Sequence, residues 1–197
     1  MKMLHIQRHT LLIISALVTN IVCSSFSSAN TERQIKDNEL RTLLQAAVTS
    51  SDSFMDQFDA EVWLIDMSHK LKAFIKNPQE RLDFLRKVHR EATRAKLEPE
   101  LVLAVIHIES AFDPYAVSRV GAQGLMQVMP FWKEEIGRPE DNLIQLEVNL
   151  RYGCTILRHY LDKEQGRVAS ALARYNGSYG SYRYSRKVMD VWLEHWR

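Results

Sequence analysis

Cysteine is scarce: the chain has two in 197 residues, Cys23 and Cys154. A small scaffold stapled by disulfides is thereby excluded. Glycine and proline are scarce as well, seven and five, which rules out collagen-like or linker-like character. Acid is missing from the first 29 residues, where Lys2 and Arg8 supply the only formal charge. With those two set aside, the 26 basic residues fall level with the 24 acidic ones. A neutral remainder without a dense Lys/Arg face argues against a nucleic-acid partner. No segment alternates with period two for long enough to be read as a strand. There is no repeat of about 20–50 residues and no low-complexity tract. Apolar runs long enough to span a bilayer, about 20 residues, are missing too.

What is present begins with an address. Lys2 and Arg8 precede the apolar run Leu11 to Val22, and Ser24-Ser25-Phe26-Ser27-Ser28-Ala29 follows. Charged start, apolar middle and small end read as a secretory signal peptide over residues 1–29, cleaved after Ala29. The mature chain then has no transmembrane segment. The rival reading is lipid attachment at Cys23, although Val22 stands where a lipoprotein signal usually has Gly, Ala or Ser. Cleavage removes Cys23 and leaves Cys154 alone in an apolar helical context, a buried free thiol.

The rest reads as all-α. Glu39 to Val48 is helix-permissive. From Phe54 to Ile75 the apolar positions Phe58, Val62, Ile65, Leu71 and Phe74 recur mostly at three and four. Asn77-Pro78 ends that helix and opens the next, proline being favoured in a first turn. Leu82, Leu85, Val88, His89, Ala92 and Ala95 then mark one face. Glu98-Pro99 opens a strongly apolar helix, Leu101 to Ile108. A Gly/Ser-containing loop follows Asp113-Pro114, with short helical pieces after it. Three further helices are expected at Gln145–Leu161, Val168–Tyr175 and Lys187–Trp196. The expected domains are a signal peptide (1–29), a helical extension (30–80) and one helical domain (81–197).

The apolar helix stops at a carboxylate. Glu109 follows Leu101-Val102-Leu103-Ala104-Val105-Ile106-His107-Ile108 near a helix C-terminus, where the macrodipole disfavours negative charge. Partial burial disfavours it further. A carboxylic acid still protonated near neutral pH can give a proton to a glycosidic oxygen. On its own, a Glu at a helix end is ordinarily just solvated. Its neighbours change the reading. Glu109-Ser110, Gly124-Leu125-Met126-Gln127 and Ala173-Arg174-Tyr175-Asn176 resemble, in order and spacing, the three signatures of the lytic transglycosylase (SLT) domain. That family holds lysozyme-like enzymes of glycoside hydrolase family 23 that cleave peptidoglycan. The resemblance covers about residues 80–197 and extends to Asn149 and Gly153, which match an Asn and a Gly four residues apart. Asp59 to Leu71 looks like the extension that precedes this domain in some members.

The resemblance implies an all-α, lysozyme-like domain that cleaves peptidoglycan glycan strands in the periplasm. It aligns Glu109 with the single catalytic acid/base and Ser110 with a residue that orients the substrate. Met126 and Gln127 align with residues lining the sugar groove. Tyr175 and Asn176 align with a pair contacting the catalytic Glu and the sugar acetamido group, and Tyr184 resembles a later groove tyrosine. Ser118, Gly121 and Gly124 match loop positions. The Tyr175 hydroxyl is expected to fix one rotamer of Glu109. Bland alternatives stand beside these roles: Met126 as a core gap-filler, Asn176-Gly177 as a turn, and Arg183 to Lys187 as a solvated helix start. Asp113 reads as a turn residue rather than a second catalytic acid. Two carboxylates usually break a glycosidic bond, but the substrate's own N-acetyl oxygen can replace the second. No cofactor is implied, and no metal: the histidines form no His-Glu-x-x-His unit, and His107 reads as a packing residue. Residues 30–80 offer a place for a cell-envelope protein partner. A hydrolase of the same bond and a noncatalytic wall-binding module are the alternatives to lytic cleavage.

Overall fold

The computed structural model describes residues 57–197, all within one compact unit, Leu44–Arg197. The signal segment, Glu39–Val48 and the start of the Phe54 helix lie outside the described residues. Seven α-helices run through the described residues: α1 Gln57–Leu71, α2 Pro78–Arg94, α3 Pro99–Ser110, α4 Trp132–Ile136, α5 Leu146–Lys163, α6 Val168–Tyr175 and α7 Arg183–Val191. A π-helical turn, Trp192–Trp196, closes the chain. Extended pairing among these residues is limited to two isolated bridges, Val117 with Gln123 and Gln123 with Val128. The all-α expectation is therefore what the structure shows.

Local chemistry sets the boundaries. Asn77 caps α2, its side-chain oxygen accepting from the amides of Gln79 at 2.9 Å and Glu80 at 3.3 Å, with Pro78 in the first turn. Such a cap satisfies donors that the helix leaves open and contributes about 1 kcal/mol. Leu82, Leu85, Val88 and Ala92 are fully buried along α2, the face that the spacing marked. The C-terminal helix begins at Arg183 rather than Lys187. Its polar first turn, Arg183-Tyr184-Ser185-Arg186, hid its start from a hydrophobic-period reading.

At the centre is α3. Every residue from Leu101 to Ile106 is buried, because α2, α7 and the π turn pack around it. Trp196, with no exposed surface, closes the core from the C-terminal end. Its indole Nε1 donates to His107 Nδ1 at 3.3 Å. His107 also meets Phe74 edge-on, its ring centroid 4.8 Å away. His107 is thus a packing residue, as its position in the helix suggested.

The chain leaves α3 by an unusual turn. Ala111 and Phe112 both have positive φ, 49° and 67°, a region that side chains with a Cβ enter at a cost. Phe112 is nonetheless 6% exposed, packed among Phe74, Phe84 and Trp196. Burial of that ring offsets the strained backbone. The reversal brings the chain back beside the end of α3, where the Phe112 ring lies 5.9 Å from that of His107.

Candidate active site

Glu109 sits in the last turn of α3 and is half-buried. It lines a cavity of about 390 Å³ with Ile108, Asn176, Ser178, Ser181, Arg183, Tyr184 and Lys187. Among these, Glu109 is the only carboxylate. Loss of solvent raises its pKa from 4.5 to about 7, and a hydrogen bond from Tyr184 pulls the other way. Tyr184 donates its hydroxyl to Glu109 Oε1 at 2.6 Å. Burial first, then the Glu109 charge, holds the Tyr184 phenol well above its ordinary range, so it stays a donor. The site thus holds a carboxyl able to give up a proton near neutral pH and take one back.

Tyr184, not Tyr175, orients the catalytic candidate. Tyr175 donates instead to the backbone carbonyl of Met126 at 2.7 Å, which corrects the expectation that its hydroxyl fixes a Glu109 rotamer. Tyr175 is near enough that the Glu109 charge, after burial, helps hold its phenol up. Its bond ties α6 to the loop that follows α3. Sequence reasoning favoured Tyr175 because it belongs to a recognisable motif. Tyr184 lies nine residues on, beyond a loop whose path no local pattern shows.

That loop is built by three further motif residues. Asn149, 1% exposed on α5, accepts from the Met126 amide at 2.8 Å and donates to the carbonyls of Gln123 and Leu143, each at 2.8 Å. Both amide hydrogens and the amide oxygen are engaged in holding the loop. Gly124 (φ 71°) lies so close that a Cβ there would stand 2.5 Å from Asn149 Nδ2 and 2.8 Å from the Leu143 carbonyl. Gly153 is bare for the same kind of reason: its Cβ would meet Met126 Sδ at 2.3 Å and Met126 Cβ at 2.7 Å.

The remaining sequence candidates divide. Asn176 is exposed and lines the cavity. Met126 has no exposed surface, which corrects its reading as a groove-lining side chain: it fills the space left by Gly153. Gln127 (φ 47°) donates to the carbonyls of Ala116 at 3.1 Å and Gly124 at 2.9 Å, so its amide nitrogen staples the loop. Ser118 accepts from the Ala122 amide at 3.0 Å and closes a turn. Ser110 donates back to the Ile106 carbonyl at 3.2 Å. Asp113 accepts from the Tyr115 amide at 2.9 Å, the turn role expected of it. Cys154 is buried, and burial pushes its thiol up, leaving it no nucleophilic character.

Arg183 and Lys187 were expected at a solvated helix start. Both are exposed, but both also line the Glu109 cavity. The signal was available: residues 183, 184 and 187 share one helical face. Ser178 and Ser181 complete the wall, and no local sequence pattern marks either. A larger cavity, about 730 Å³, opens between Phe74, Phe84, Phe112 and Ile144. Its walls are mostly apolar, Glu109 is not on them, and Leu125 is their one motif residue.

The model of the Transglycosylase SLT domain family matches residues 87–189. Membrane-bound lytic murein transglycosylase F of Desulfosudis oleivorans is 34% identical over 107 residues, covering 51% of this chain and 23% of that protein. A transglycosylase of Enterobacteria phage PRD1 is 36% identical over 92 residues, covering 47% and 34%. The chain therefore spans about a quarter to a third of the length of these two relatives. Among solved structures, an inactive mutant of lytic transglycosylase Slt from Pseudomonas aeruginosa superposes with a TM-score of 0.45 at 25% identity, covering 79% of this chain and 33% of that one.

Proposed function

The chain belongs to the transglycosylase SLT domain family, and on that premise we propose that it is a peptidoglycan lytic transglycosylase. It cleaves the β-1,4 bond between N-acetylmuramic acid and N-acetylglucosamine without water. Glu109 acts first as acid and then as base. The observation that carries this reading is the desolvated Glu109 carboxyl, raised to about 7 and gripped by Tyr184, as the sole carboxylate on its cavity wall.

The steps follow from having one carboxyl. Protonated Glu109 gives its proton to the glycosidic oxygen, and the C1–O bond breaks as the electron pair leaves with that oxygen. The substrate's 2-acetamido carbonyl oxygen attacks C1 and holds the developing cation, the part a second carboxylate plays elsewhere. Glu109, now a carboxylate, takes the proton of the muramyl 6-hydroxyl. The freed oxygen attacks C1, the acetamido oxygen departs, and a 1,6-anhydro ring closes. The proton that Glu109 gave is restored, and no water is consumed.

The surroundings suit these steps. Tyr184 steadies the carboxylate after the first transfer and keeps one oxygen aimed. Asn176 offers an amide donor and acceptor for an N-acetyl group. Arg183 and Lys187 bring positive charge to the cavity, suited to the lactyl and peptide carboxylates of the wall polymer. Export to the periplasm through residues 1–29, and a cell-envelope protein docking on residues 30–80, belong to the same proposal.

The test uses purified sacculi. The wild-type chain is expected to release soluble muropeptides, and Glu109→Gln to release none while remaining folded. General acid/base groups supply about 10²–10⁴-fold, and more is lost when one group serves both steps. Glu109→Gln activity above a tenth of wild type would overturn the assignment of Glu109. Binding to sacculi with no cleavage by either protein would make the chain a wall-binding module instead.

A further inference from the structure

Behind the cavity lies a group of side chains that the proposed reaction does not use. Glu164, just past the end of α5, is 3% exposed. It accepts from Arg167 Nη2 at 3.2 Å and from Arg174 Nε. Both arginines hold its carboxyl below the usual carboxylate range, with Arg174 the larger cause. Arg174 stands one residue before Tyr175 on α6. A face of its guanidinium is also covered: the carbon lies 3.6 Å from the centroid of the Tyr179 ring. Tyr179 is 60% exposed, and Arg174, which meets both its ring and its hydroxyl, is what anchors a side chain otherwise largely in solvent.

The position of Tyr179 makes the stack consequential. It lies within the 176–182 loop joining α6 to α7. Asn176, Ser178 and Ser181 of that loop form the cavity wall facing Glu109. The loop has little else to set its shape. Gly177 and Gly180 have φ of 73° and 94°, and a Cβ on either would meet nothing within 4 Å. Those glycines permit a turn without packing it. Its backbone bonds are local, Ser178 amide to the Ala173 carbonyl and Ser181 amide to the Ser178 carbonyl, each 2.8 Å. A mobile loop of this kind would leave the wall of the site poorly defined and weaken binding through the cost of ordering it.

We infer that Glu164, Arg174 and Tyr179 form a strap that fixes the 176–182 loop against α6 and so sets how tightly the Glu109 cavity holds its saccharide. The inference rests on the glycan-cleaving reading of that cavity. The three are positioning residues: the buried carboxylate aims the guanidinium, the guanidinium seats the ring, and the ring holds the loop. An exposed cation–π contact supports an effect of roughly two- to fivefold. The strap acts on substrate binding rather than on proton transfer, so it falls on KM and leaves kcat nearly alone.

The experiment compares Tyr179→Ala and Tyr179→Phe in the full chain with two readouts. The first is KM and kcat on purified peptidoglycan glycan strands. The second is amide hydrogen exchange at Ser178 and Ser181, which needs no substrate. The strap predicts that Tyr179→Ala raises KM about two- to fivefold with kcat within twofold. It also predicts faster exchange at both amides, and that Tyr179→Phe, which keeps the ring on Arg174 and loses only the hydroxyl contact, restores most of both readouts. Unchanged KM and exchange in Tyr179→Ala would overturn it, as would failure of Tyr179→Phe to restore them. If the wild-type chain cleaves no glycan, the reading of the cavity fails, and the exchange readout still decides the strap.

Discussion

Replacing Tyr184 by Phe removes one oxygen and leaves the ring. In the folded protein that oxygen donates to Glu109 Oε1 at 2.6 Å and is the force holding the Glu109 pKa down against burial. A hydrogen bond to a charged group is worth about 1.5–3 kcal/mol, against about 0.5–1.5 kcal/mol when both partners are neutral. The carboxylate form of Glu109 therefore loses about 1–1.5 kcal/mol more than the acid form, or about one pH unit. An acid catalyst must be protonated, so wild-type kcat/KM holds below pH 7 and falls above it, through a Glu109 pKa of about 7. Tyr184→Phe moves this falling limb to higher pH by about one unit. Turnover drops as well, because the carboxylate that accepts the second proton is no longer steered. The assay is the pH–rate profile on soluble glycan strands for wild type, Tyr184→Phe and Tyr175→Phe. Tyr175 bonds to the Met126 carbonyl instead, so its limb stays where the wild-type limb is. A Tyr184→Phe limb that does not move, or a Tyr175→Phe limb that does, would refute the assignment of the two hydroxyls.

Glu109 should also cost the fold stability in alkaline solution. Its carboxyl binds its proton more tightly folded (about 7) than at the ordinary value of 4.5, so stability falls as pH rises between those values and stays lower above them. Glu109→Gln should therefore melt above wild type at pH 8, by an amount equivalent to about 3 kcal/mol, with the gap shrinking below about 1 kcal/mol at pH 5. A gap independent of pH would show that the carboxyl is not desolvated. Gly153→Ala drives a methyl into Met126 and should lower stability by about 1–3 kcal/mol in urea unfolding, with activity falling alongside. Asn149→Leu strands the Met126 amide and two carbonyls and should cost at least about 3 kcal/mol at about 1–3 kcal/mol per buried unpaired group. A near-neutral result there would mean that the loop is held by something else.

Much of the architecture was legible because it rests on local rules. Asn77-Pro78 marked a capped helix start, and the α3 run marked a helix buried on all sides. Val168–Tyr175 was placed to the residue. Glu109 was legible for the same reason: a carboxyl ending such a helix has little water to draw on. The partner of Glu109 was not. Tyr175 and Tyr184 are alike in type, and only the return of the chain after Gly177 and Gly180 decides which hydroxyl arrives. Met126 and Gln127 carry a motif whose residues look like ligands for a sugar. In the fold Met126 packs beneath Gly153 and the Gln127 amide nitrogen closes the loop, since a motif marks what the fold needs as readily as what the substrate needs. Arg183 and Lys187 were read as solvated because charge at a helix start usually is. The cavity they line forms only when α7 packs against α3.

In the proposed reaction one carboxyl does the work of two without water, and the chemistry of the product ends tests that most directly. Purified sacculi are digested with the wild-type chain, and the released muropeptides are weighed by mass spectrometry before and after borohydride reduction. Lytic cleavage through Glu109 predicts 1,6-anhydro ends, lighter than the hydrolysis product by one water and inert to borohydride, with no such products from Glu109→Gln. Reducing ends that take up hydrogen would contradict it: water would then be the nucleophile, and Glu109 would be the acid of a hydrolase.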